Sequence, residues 1–154
     1  MIPLQIKLTN FLSYRDAALD FRGLHAACIC GPNGAGKSSL LEAMAWAIWG
    51  NSRAGTEDDV IHAGAGEVRV DFTFSCDRQI YRVIRSRQLG KTTTVEFQIA
   101  TDEEGNSFRA ISDRTSRATQ EKIIQHLKLD YETFVNSAYL RQGRADEIML
   151  KKPA

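Results

Sequence analysis

Leu4, Ile6 and Leu8 alternate with Gln5, Lys7 and Thr9, the period of two that marks a strand with one buried face. Asn10 to Asp16 reads as a polar loop, and Ala18-Leu19-Asp20-Phe21 as a second short strand. Beyond Gly23 the run Ala26-Ala27-Cys28-Ile29-Cys30 is apolar without alternation, which suits a strand covered on both faces. A helix is predicted from Gly36 or Lys37 to about Gly50, where glycine can end it. Within it Leu40, Leu41, Ala43, Met44, Ala45, Trp46, Ala47, Ile48 and Trp49 leave Glu42 nearly alone as a polar residue. A helix apolar all round is a buried one, so both tryptophans read as core.

Asn51 to Gly66 reads as a loop with an acidic cluster, Glu57-Asp58-Asp59. The period of two then returns. Val68, Val70, Phe72 and Phe74 alternate with Arg69, Asp71 and Thr73, Tyr81 and Val83 lie opposite Ile80 and Ile84, and Val95, Phe97 and Ile99 alternate with Glu96 and Gln98. Turn residues at Cys76-Asp77, Leu89-Gly90 and Glu104-Gly105-Asn106 separate the runs. These features predict a three-stranded antiparallel meander. Thr115 to Leu127 has a helical spacing of apolar residues, a second helix is expected from an N-cap at Asp130, and a third spans Ala145 to Leu150.

Composition narrows the class. The chain has 154 residues, 43% hydrophobic and 25% charged, ordinary for a soluble globular domain and unlike collagen, low-complexity disorder or a disulfide miniprotein. A net charge of +1 says nothing about partners, so any nucleic-acid argument rests on local distribution. Cys28, Cys30 and Cys76 are an odd count that fits a reducing cytoplasm, and the close pair reads as small buried hydrophobes. The N-terminus lacks the pattern of a signal peptide, and no apolar run is long enough to span a bilayer. A cytoplasmic protein is expected.

Gly31-Pro32-Asn33-Gly34-Ala35-Gly36-Lys37-Ser38 fits G-x-x-x-x-G-K-[ST]. Glycines let main-chain N–H groups close around phosphate oxygens, and the following helix offers its positive end to the same anion. Lys37 can reach the β- and γ-phosphates, and the Ser38 hydroxyl can ligate magnesium. The context agrees, because the loop follows a buried strand and opens a helix. Hydrolysis in this class also needs an acidic residue after an apolar strand. Val68-Arg69-Val70-Asp71 is broken by Arg69, and the run from Phe97 to Glu104 reads as a strand entering an acidic turn, so neither supplies it. The guanine-reading pattern N-K-x-D is absent.

With these residues in place the chain resembles the N-terminal half of an SMC-like, ABC-class ATPase head, most of all that of the SbcC-type exonuclease subunit. Four stretches carry the resemblance: Leu8 to Tyr14, Gly31 to Met44, Asp59 to Gly64 with Val68 to Phe72, and Phe134 to Gly143. It implies an α/β P-loop NTPase fold in which an antiparallel meander packs beside a P-loop strand–helix core. The expected organisation is one domain over 1–154, with strands, P-loop and buried helix in 1–50, the meander in 67–100, and helices with a glutamine loop in 115–150. It also implies ATP and Mg2+ as ligands. Asn33, Gly34, Ala35, Gly36, Lys37, Ser38 and Ser39 would hold the phosphates, and Ser38 and Gln142 the metal. Gln142 would also contact the attacking water, while Ser13, Ile61 and His62 would lie near ribose and adenine.

In the resembled family a coiled coil and a C-terminal half follow, bringing the acidic strand and signature motif. The expectation is therefore a fragment, or one piece of a split head, that hydrolyses little ATP alone. Implied partners are that C-terminal half, a second head, an SbcD-type metallophosphoesterase nuclease and double-stranded DNA, with no membrane and a nucleoid-associated location. Arg78, Arg82, Arg85, Arg87 and Lys91 contain no acid among them. Arg87 and Lys91 are the candidate DNA contacts, against a solvated sheet face balanced by Asp71, Asp77 and Glu96. Rival readings are a RecF-type gap-repair ATPase, a P-loop kinase of small metabolites, and a scaffold that keeps a nucleotide pocket without turnover. The meander argues against the kinase, because antiparallel hairpins are not crossover units.

Overall fold

The computed structural model describes residues 1–22, 37–51, 55–128 and 130–132. Its strands are β1 (Ile2–Phe11), β2 (Tyr14–Asp20), β3 (Glu67–Cys76), β4 (Gln79–Gln88), β5 (Thr94–Ala100) and β6 (Phe108–Ala110). They form one antiparallel sheet in the order β2-β1-β3-β4-β5-β6. Among the described residues, two helices, α1 (Lys37–Trp49) and α2 (Ser116–Leu127), accompany it, with a 3-10 turn at Glu57–Val60.

The period of two sorts the sheet into two faces. Ile6 lies opposite Phe72 and Leu8 opposite Val70; Phe72 faces Val83, and Val83 faces Phe97. All six are buried, in one core with most of α1 and with Ile123 and Leu127 of α2. The other face is mostly polar, with Lys7 opposite Asp71 and Arg82 opposite Gln98, and Ile84 buried among them. Slipping β3 by one residue would turn Val68, Val70, Phe72 and Phe74 outward. At roughly 1.5–3 kcal/mol for each large apolar side chain, that loss matches the whole stability of an ordinary domain, about 5–15 kcal/mol. The alternation therefore sets the register.

Helix ends fall where the residues direct. Gly50 follows α1 with φ of 75° and donates its N–H to Trp46 O at 2.7 Å, a left-handed ending that glycine adopts at little cost. The Thr115 hydroxyl accepts the Ala118 N–H at 3.0 Å and caps α2. Lys128, at φ 51°, ends it and donates to Ile124 O at 2.9 Å.

Two expectations are corrected. Asn10–Asp16 is not a loop: β1 continues to Phe11 and turns through Leu12-Ser13 directly into β2. Asn10, at φ 55°, steps the alternation by one residue, so Leu8 and Phe11 are both buried although three apart. The expected meander is also only part of a larger sheet. β1 pairs with β3, β2 with β1, and β6 adds a strand beyond β5. At three residues, β6 is too short to show a period. The strand expected at Ala26–Cys30 and the helix expected at Ala145–Leu150 lie outside the described residues, as does most of the helix expected from Asp130.

Candidate functional site

α1 begins at Lys37, so Lys37, Ser38 and Ser39 form its first turn. Asn33, Gly34, Ala35 and Gly36 lie outside the described residues, and so does Gln142. The first turn contains no acidic residue. The positive end of the helix is thus not offset by a carboxylate of its own first turn, which fits an anionic ligand.

Ser13, Ile61 and His62, expected near ribose and adenine, are brought together although some fifty residues separate them. Leu12 donates its N–H to Val60 O at 2.8 Å, His62 donates its N–H to Asn10 O at 2.8 Å, and Phe11 bridges to Ile61. The His62 ring extends this pairing. Its Nδ1–H donates to Leu12 O at 2.6 Å, and its Nε2 accepts from Arg15 Nε at 3.4 Å. The Leu12 carbonyl can only accept, which assigns the proton to Nδ1. Ser13 is exposed at the tip of the turn. Ile61 is only 8% exposed and belongs to the core, and its N–H donates to Asp58 O at 3.0 Å.

The basic residues do not form one surface. Arg78 sits in the β3–β4 turn at φ 67°. On β4, residues 81, 83, 85 and 87 share the core side, whereas Arg82 points to the opposite face. There Arg82 pairs with Asp71, its Nε 2.8 Å from Oδ1 and its Nη2 on Oδ2. This pairing holds the guanidinium above its usual pKa. Arg87 is not an open DNA contact. Its side chain is 9% exposed and lies 2.9 Å from Glu57 and 2.8 Å from Asp58. The acidic cluster of the expected loop is thus the other half of this tie. The Arg87 hydrogen bond, then the Gly90 N–H, holds the Asp58 carboxyl below the usual carboxylate range. Lys91 is exposed.

Neither candidate magnesium carboxylate is available. Asp71 is committed to Arg82, and Asp102 accepts the N–H groups of Asn106 and Ser107 at 2.9 and 3.3 Å within its turn. No cluster of metal-ligating side chains occurs among the described residues.

Arg85 is a residue whose placement the charge pattern hid. It lies buried beneath α1, with Nε donating to Ala47 O at 3.1 Å and Nη2 to Ile48 O at 3.4 Å and to Gln120 Oε1. Gln120 Nε2 donates to Ile48 O at 2.8 Å. Alternation with Tyr81 and Val83 was the available signal, since position 85 shares their face. Arg85 and Gln120 border a cleft of about 690 Å³, together with Trp46, Trp49 and Tyr131. Trp46 is buried against Phe11, ring centroids 5.7 Å apart, in keeping with a core role.

The family model described as an AAA domain matches residues 5–154. Over 157 residues the chain is 32% identical to the SbcC component of the SbcCD nuclease of Deinococcus radiodurans, covering 99% of this chain and 17% of that protein. It is 30% identical over 156 residues to the DNA double-strand break repair Rad50 ATPase of Thermoplasma volcanium, covering 100% of this chain and 17% of that one. The chain thus spans about one sixth of the length of these relatives. The structure of the recombination mediator protein RecF with ATP superposes at a TM-score of 0.52 and 17% identity, over 68% of this chain and 29% of that one. At that identity the likeness is one of fold, and it agrees with the P-loop α/β class expected from the residues. No described helix is long and apolar enough to cross a membrane.

Proposed function

Because this chain belongs to the AAA-domain family and resembles SMC-like P-loop ATPases of double-strand-break repair along its whole length, we propose that it is the ATP-binding half of a head that gates DNA for a partner nuclease. The observation that carries this reading is the start of α1. A buried helix opens at Lys37, directly after the glycine-rich run, with no acid in its first turn.

In this reading the N–H groups of Gly34 to Ser39 surround the phosphates, and Asn33 lies on the γ side. Lys37 neutralises the β- and γ-oxygens. Ser38 and Gln142 would hold magnesium, which when bound would offset negative charge on the phosphate oxygens. Gln142 also orients the attacking water. The Ser13 turn lies beside the ribose and adenine. His62 keeps that turn in place, and Ile61 anchors the same segment in the core. Asp71 and Asp102 have other partners, so the acidic strand that completes the reaction comes from the C-terminal half of the head. ATP then joins two heads, and hydrolysis separates them, exposing duplex DNA to an SbcD-type metallophosphoesterase. Such a protein works on the nucleoid in the cytoplasm. The fold alone also fits a RecF-type ATPase; the identity to SbcC and Rad50 over nearly the whole chain favours the first reading.

Calorimetric titration of Mg-ATP into the chain, alone and joined by the C-terminal half, tests this. Saturable binding that Lys37→Ala weakens by about tenfold or more is expected, with turnover only in the joined form. Equal binding by wild type and Lys37→Ala overturns the reading.

A further inference from the structure

The last turn of α1 contains no basic residue, although the negative end of a helix favours a cation. Arg85 supplies one from β4, 38 positions away in the sequence. Its planar guanidinium takes the carbonyl oxygens of both Ala47 and Ile48, and Gln120 of α2 joins Arg85 to Ile48 a second time. The face of Trp46 lies 5.9 Å from the guanidinium carbon. Position 50 leaves room for this group, because a Cβ there would stand 3.1 Å from Arg85 Nη1. Burial pulls the Arg85 pKa down to about 10, which still leaves it charged at neutral pH.

Leu40, Ala43, Met44, Ala45, Trp46, Ala47 and Ile48 of α1 are all buried, and apolar burial is non-directional. Three of these seven are alanines, which offer few ridges against sliding or rotation. The hydrogen bonds from Arg85 and Gln120 have direction. They join the sheet, α1 and α2 at one end of α1, while Lys37 and Ser38 stand at the other. With 13 residues, α1 is about 20 Å long, so a tilt of about 5° at the clamped end moves the far end by about 1.7 Å. Displacements of about 1 Å are enough to cost a reactive site on the order of a hundredfold.

We propose that Arg85 is a positioning residue of the nucleotide site: with Gln120 it clamps the C-terminal end of α1 and thereby sets where the opposite end presents Lys37 and Ser38. This rests on the nucleotide reading above. The clamp lies at the opposite end of α1 from Lys37 and Ser38, so Arg85 acts on that end through the helix.

The test compares Arg85→Met, Arg85→Lys, Gln120→Met and the Arg85→Met/Gln120→Met pair with Val83→Ala, a core truncation on the same strand. Each variant of the chain, joined by the C-terminal half, is measured for Mg-ATP affinity, chemical denaturation, and the amide shifts of residues 37–41 by NMR without ligand. Arg85→Met is expected to displace those amides and weaken Mg-ATP binding by about tenfold while the protein stays folded. Gln120→Met gives a smaller loss, Arg85→Lys a partial rescue, and the pair no more loss than Arg85→Met alone. Val83→Ala loses stability but keeps its affinity and amide positions. If Arg85→Met does not fold, Gln120→Met and Arg85→Lys decide by the same readouts. Unmoved amides in folded clamp variants overturn the proposal, and so does an equal affinity loss in Val83→Ala. A wild type that does not bind Mg-ATP overturns the nucleotide reading instead, and the amide shifts still decide whether the clamp sets the helix.

Discussion

His62 donates from Nδ1 to the carbonyl oxygen of Leu12 at 2.6 Å, across 50 positions of sequence. This bond, with the backbone pairing beside it, holds the β1–β2 turn against the segment that follows the 3-10 turn. The imidazole therefore works as a brace for Ser13. His62→Ala should remove about 1 kcal/mol, a fall in melting temperature of about 2–4 °C for a domain this size, and weaken Mg-ATP binding several-fold. Asparagine places an N–H donor near the position of Nδ1, so His62→Asn should recover most of both. Thermal melting and nucleotide titration of the three proteins check this.

The Asp58–Arg87 tie should be visible in acid. The Asp58 carboxyl is lowered in the folded protein from an ordinary value of 3.8. Between the two values the unfolded chain binds the extra proton, so stability rises with pH there. The contribution is fully present above 3.8 and is lost as pH falls through the folded-state pKa. In denaturant titrations from pH 6 to 2, the stability gap between wild type and Asp58→Asn should stay level above pH 4 and shrink below it. A gap that widens toward low pH contradicts the assignment.

Lys91 and Arg87 should part company in DNA binding. Lys91 is exposed, whereas the Arg87 guanidinium is held by Glu57 and Asp58. In an intact head, Lys91→Ala should lower the slope of log affinity against log salt by about 0.9, the value for one lost phosphate contact. Arg87→Ala should lower the denaturation midpoint first, because it leaves two carboxylates without their partner. Fluorescence titrations at several salt concentrations read the first effect, and urea unfolding the second.

Gly50 should tolerate no side chain. Its φ of 75° is left-handed, and a Cβ would press on Arg85 Nη1 at 3.1 Å. Gly50→Ala should cost about 1–2 kcal/mol from backbone strain alone. The cost should fall in an Arg85→Met background, where the contact is gone. Urea denaturation of the two single variants and the double variant measures that coupling.

The local features could be read from the residues. The alternation of Val68, Val70, Phe72 and Phe74 gives a strand and its buried face. Gly50 and Thr115 mark helix ends, and Gly31 to Ser38 names the ligand class. All of these depend on neighbours a few positions away, where backbone sterics and periodicity act. The break in alternation at Asn10 was harder, because one left-handed residue shifts the pattern and makes a hairpin look like a polar loop.

Which charges are free could not be read in this way. Five basic residues with no acid among them made Arg87 and Lys91 candidate DNA contacts. Folding sent Arg82 to Asp71, Arg85 beneath α1 and Arg87 to the acidic turn, and left Lys91 exposed. Sequence dictated strands, helix ends and a phosphate-binding motif because those follow from short-range sterics and from burial period. The pairing of Arg85 with Ala47, and of His62 with Leu12, was decided only in three dimensions. Long-range partners are chosen by how the sheet and helices pack, and a buried polar group must be satisfied by whatever that packing places beside it.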